Sequence, residues 1–119
     1  FSWESQKCDF KSYINSWKNW FSSNQNMQIV GYGIGHNFDR FLQFTASHGI
    51  FKYLIDEDKS KSGLYLANSD IPIISDVNSI SLSNLIFIMG THDRQYLSAT
   101  SSLRKQFPTA KYLSIFTKP

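Results

Sequence analysis

The sequence predicts an α/β fold, a mostly parallel sheet of about five strands with helices on both faces, and three observations carry that prediction. Apolar runs of strand length alternate with segments of helical periodicity. One run, Ile29-Val30, leads into a glycine-rich turn and a helix start, Gly31-Tyr32-Gly33-Ile34-Gly35-His36. Another, Leu85 to Met89, carries no polar residue, as expected of a strand buried on both sides.

Taken in order, residues 9–21 read as an amphipathic helix with Phe10, Tyr13, Ile14, Trp17 and Phe21 on one face. Asp9 suits its N-cap or first turn, and the polar run 22–26 ends it. Residues 27–30 form the first strand, and the glycine turn follows. Residues 39–46 are the next helix, with Phe38, Phe41, Leu42 and Thr45 toward the sheet and Gly49 in the left-handed position after its end. Residues 50–55 are the second strand, ending at Asp56.

Glu57, Asp58 and Lys59 read as solvated turn residues, Ser62-Gly63 as a turn, and Leu64 to Leu66 as a packed loop. Residues 71–74 suit an edge strand, because Pro72 cannot donate to a central ladder. Val77, Ile80 and Leu82 anchor the polar stretch that follows. After the 85–89 strand comes a helix over 93–107, with Tyr96, Leu97, Leu103 and Phe107 inward and Pro108 as its stop. The last strand spans 111–116.

The 119 residues fit one domain: an N-terminal helix and loop over 1–26 and an α/β core over 27–119. The chain opens on Phe1 without a basic-then-apolar leader and reads as part of a longer protein. The absence of a long apolar run argues against a membrane span. A lone Cys8 and the absence of glycosylation sequons point to the cytoplasm. The net charge is +3, but the basic residues are scattered and Asp56-Glu57-Asp58 is acidic, so no nucleic-acid partner is expected.

Right-handed crossovers would set the first strand beside the Leu85 strand, and open α/β sheets bind ligands between such carboxyl ends. The candidate nucleotide- or phosphate-binding residues are therefore Gly31, Tyr32, Gly33, Gly35, His36, Asp56, Gly90, Thr91 and His92. The glycines allow close backbone approach, His36 suits a phosphate contact, and Asp56 stands where an acid accepts ribose hydroxyls. The full dinucleotide fingerprint is incomplete, since its third glycine place falls on His36 or Phe38. The competing reading is a glycine-rich turn that binds nothing, with Asp56 as a turn acid or cap and His36, His48 and His92 as ordinary loop histidines. Lys61 could reach a phosphate or simply cap its turn. No Gly-x-Ser-x-Gly turn and no metal-spaced cluster of His, Cys and carboxylates occurs, so neither a catalytic set nor a metal site is expected.

Ile29-Val30-Gly31-Tyr32-Gly33, the segment Ile55-Asp56-Glu57-Asp58-Lys59-Ser60-Lys61-Ser62-Gly63-Leu64-Tyr65, Ile71-Pro72-Ile73 and the ending near Pro119 resemble the C-terminal domain of sugar C-methyltransferases. That resemblance implies a Rossmann-like domain that helps hold a nucleotide or nucleotide-linked sugar and binds no cofactor itself. S-adenosylmethionine would belong to a preceding catalytic methyltransferase domain of the same protein. The chain departs from the family pattern at Ile34, Asn37-Phe38, Ala67-Asn68 and Thr91-His92. A looser resemblance is to the Rossmann-like domains in front of sugar acyltransferases, which also bind nucleotide sugars. The alternative is a structural domain with a degenerate crevice, packing on a catalytic partner through its Trp17 and Trp20 side.

Overall fold

A computed structural model describes residues 3–56, 71–75, 77 and 83–119. The elements run α1 (Trp3–Ser23), β1 (Gln28–Tyr32), α2 (His36–Thr45), β2 (Phe51–Ile55), β3 (Ile73–Ile74), β4 (Leu85–Met89), α3 (Asp93–Gln106) and β5 (Lys111–Ser114). The five strands form one sheet in the order β3-β2-β1-β4-β5. Every pairing is parallel. This is a Rossmann-like α/β fold. The strand order reverses between β1 and β4, which pair in register from Gln28 with Leu85 to Tyr32 with Met89.

Side-chain alternation assigns each strand residue to one of two cores. Ile29, Phe51, Leu54, Ile86 and Ile88 face α1 and α2, together with Trp17, Phe21, Phe38, Phe41 and Leu42. Val30, Tyr32, Ile55, Leu85, Phe87 and Met89 face α3 through Leu103, with Tyr96, Ala99 and Phe107 packed alongside. Phe51 and Leu54 are three apart and would point to opposite faces of a regular strand. Pairing jumps from Ile29–Phe51 to Val30–Tyr53, so Lys52 is a bulge residue that brings both side chains to the α2 face.

The α1/α2 face is aromatic. The Trp17 ring meets Phe41 edge-on at 4.9 Å, Phe21 meets Phe51 at 6.0 Å, and Phe38 meets Phe51 at 5.5 Å. Burying each such ring contributes about 1.5–3 kcal/mol. The end of the chain is pinned to α1: the Tyr13 hydroxyl donates to the Ile115 carbonyl, and Trp17 Nε1 donates to the Thr117 carbonyl at 3.0 Å. Burial raises the Tyr13 pKa, so the phenol keeps the proton it donates.

Several boundaries move. The first helix starts at Trp3, which places Asp9 mid-helix rather than at a cap, and Phe10 is half exposed rather than core. The first strand extends through Gly31 and Tyr32, leaving Gly33 to Gly35 as the turn. The second helix starts at His36, and its left-handed end falls on Ala46 (φ 52°) instead of Gly49. Helical order outweighs the local cost there because the Ala46 and Ser47 amides close onto the Gln43 and Leu42 carbonyls. Leu97 points outward, being 66 % exposed, because Tyr96, Ala99 and Leu103 already define the inward face of α3. The last strand ends at Ser114. The readings of Glu57 to Leu66, Lys61 included, and of Ile80 and Leu82 lie outside the described residues.

Candidate functional site

The strand tips at the carboxyl edge are tied by ladder bonds. The Gly90 amide donates to the Tyr32 carbonyl at 2.8 Å, and the Gly33 amide to the Ile55 carbonyl at 2.9 Å. The Asp56 amide donates to the Ile74 carbonyl at 3.0 Å. The turn then doubles back, with the Gly35 amide on the Gly33 carbonyl at 3.1 Å. Gly33 needs its lack of a side chain, because its φ is +80°.

Phe38 explains two other glycines. A Cβ on Gly31 would lie 2.5 Å from Phe38 Cζ, and one on Gly90 would lie 2.5 Å from the Gly33 carbonyl oxygen and 2.7 Å from the Phe38 ring. Phe38 is fully buried and Ile34 nearly so. Together they occupy the α2 side of the switch point. Gly31 is therefore glycine because Phe38 and Leu54 pack on it, and Gly90 because the Gly33 carbonyl and the Phe38 ring leave no room for a Cβ.

The α3 side is open. A cleft of about 470 Å³ is lined by Tyr32, Gly33, Asp56, Thr91, Arg94, Gln95, Ser98, Ala99 and Ser102. Thr91 is shared with a neighbouring hollow of about 340 Å³, which is bordered by His92, Tyr96, Tyr112 and Phe116. His92 stacks on Phe116 with centroids 4.0 Å apart. Burial raises the Tyr112 pKa, against the opposing pull of Arg104, and the neutral hydroxyl donates to the Phe107 carbonyl at 2.9 Å. A larger hollow of about 580 Å³ lies at the opposite edge, where β1 begins, among Lys18, Phe21, Met27, Ile29 and Ile50. Open α/β sheets place ligands at the carboxyl edge, which favours the α3-side cleft.

Of the expected site residues, Tyr32, Gly33, Asp56 and Thr91 meet in this cleft, and His92 stands in the adjoining hollow. Gly31 is buried under Phe38, Gly90 lies between the tips, and Gly35 and His36 are exposed at the start of α2 without lining the cleft. Sequence reasoning missed Arg94, Gln95, Ser98 and Ser102. Their signal is the polar stripe Arg94-Ser98-Ser102, every fourth residue on the side of α3 away from Leu103.

Chemically, the cleft offers a carboxylate on one wall and a guanidinium, an amide and hydroxyls on the other. Among the described residues no His or Cys lines it. Among the described residues no group of His, Cys, Asp and Glu could hold a metal ion, and no helix is long and apolar enough to cross a membrane. No protein-family model, curated protein or solved structure matches the chain.

Proposed function

We propose that this Rossmann-like domain binds a nucleotide or nucleotide-linked sugar in the α3-side cleft and does not turn it over by itself. The observation that carries the reading is the cleft at the strand-order reversal, where Gly33, Asp56 and Thr91 converge. The resemblance to sugar C-methyltransferases supports the ligand class and the role of an accessory domain to a cytoplasmic, S-adenosylmethionine-dependent catalytic domain.

The test is an amide-shift titration with uridine, thymidine and adenosine diphosphates. Saturable shifts at Gly33, Asp56, Thr91 and the first turn of α3 are expected with at least one of them. No shift at millimolar concentration overturns the reading. Trp17 is a poor reporter of this cleft, because it is buried on the other face of the sheet.

A second reading, a packing domain without a ligand, is favoured by one observation. Phe10 and Phe44 meet edge-on at 5.3 Å, yet each remains about half exposed on the α1/α2 side. That reading predicts a silent titration.

A further inference from the structure

We propose that the phosphate-recognising wall of the cleft is the α3 stripe led by Arg94 and Ser98, and that the glycine turn does not serve this purpose. The inference rests on the nucleotide-binding reading and assigns the ligand's orientation within the site.

The glycine turn has little left to offer an anion. The Gly33 and Gly35 amides are bonded to the Ile55 and Gly33 carbonyls, and the buried Phe38 ring packs against Gly31 and Gly90. The α3 wall is the reverse. Arg94, Ser98 and Ser102 follow one another at single-turn intervals along the cleft, a span of about 12 Å. Arg94 lies in the first turn of α3; neither α2 nor α3 carries a side-chain cap at its N-terminus, so what sets the α3 wall apart is its guanidinium and hydroxyls facing the cleft. Thr91 Oγ1, at the root of the same wall, is buried without a hydrogen-bond partner among the described residues.

Asp56 lines the same cleft as an acceptor. A ligand that engages both walls of the cleft carries an anion and hydroxyls. A nucleoside diphosphate or its sugar ester has both. Inorganic phosphate would meet Arg94 but be repelled by Asp56, and a bare nucleoside would meet Asp56 but leave the guanidinium unused.

The probes are uridine diphosphate, uridine and inorganic phosphate, with affinities taken from amide shifts and calorimetry on the full chain. Uridine diphosphate should bind more tightly than either fragment. Arg94→Gln should weaken it about tenfold or more while leaving uridine unaffected, and Arg94→Lys should recover part of the loss. Arg94 is exposed, so an unchanged melting temperature separates a binding loss from misfolding. Gly35→Ala is the competing variant: its Cβ meets nothing within 4 Å in the free protein but would crowd an anion seated at the turn. A loss larger in Gly35→Ala than in Arg94→Gln moves the phosphate to the turn, which overturns this inference and leaves the nucleotide-binding reading standing. A wild-type chain that binds none of the diphosphates overturns both.

Discussion

The two faces of the sheet are built for different purposes. On the α1/α2 face, Trp17, Phe21, Phe38, Phe41 and Phe51 form a continuous aromatic core, and Phe38 carries it up to the strand tips at Gly31 and Gly90. On the α3 face the core is Val30, Ile55, Phe87, Met89 and Leu103, and toward the strand tips it gives way to a polar cleft. Both faces share the same β1 and β4, so strand chemistry does not make the difference. It comes from which helix places an aromatic over the switch point. Phe38 of α2 does so, whereas α3 presents Arg94 and Ser98. A Rossmann-like sheet can thus keep its strand order while moving its open side from one helix to the other.

The strongest way to break this contrast is Phe38→Ala. The side chain is fully buried and touches the ideal Cβ positions of both Gly31 and Gly90. Its removal should cost about 3–5 kcal/mol in denaturant unfolding. A loss under about 1 kcal/mol would mean that the region collapses freely and is not a rigid plug. Gly90→Ala comes next. The new Cβ would meet the Gly33 carbonyl at 2.5 Å, and backbone cannot swing aside as a flexible side chain can. We expect about 1–3 kcal/mol of destabilisation. The Gly90 to Tyr32 bond should also loosen, read as faster exchange of the Gly90 amide.

Much of the fold is legible in the sequence because its signals are local. The 85–89 strand has both boundaries where the apolar run places them, and the adjacency of β1 and β4 follows from alternating elements. The misses share a cause in tertiary structure. Ala46 takes a left-handed angle because the chain must return beneath α2, and Lys52 is bulged out to serve a register set by β1. The site is legible at its strand tips, where Tyr32, Gly33, Asp56 and Thr91 follow from the sheet. It is not legible at the α3 wall. A polar helix face reads as solvated until the position of β2 turns Arg94 and Ser98 toward Asp56's cleft. The glycines misled in the opposite sense, since the demand at Gly31 comes from the Phe38 and Leu54 side chains, and at Gly90 from the Gly33 carbonyl and the Phe38 ring.

The smallest expected effect is the most discriminating between packing and binding. Thr91 joins the two faces: its Cγ2 lies 2.7 Å from where a Gly33 Cβ would be, and its Oγ1 is buried without a partner among the described residues. Thr91→Val keeps the branched shape and removes only the hydroxyl. An unsatisfied buried hydroxyl costs free energy, so the variant should be about 1 kcal/mol more stable by denaturant unfolding. The same variant should bind uridine diphosphate more weakly if the hydroxyl is held in reserve for a ligand. Gained stability together with lost affinity marks a group kept for the cleft at the expense of the fold. Gained stability with unchanged affinity makes the hydroxyl a packing defect. A destabilised variant means that Oγ1 already has a partner in solution, and the polar root of the α3 wall is then part of the structure itself.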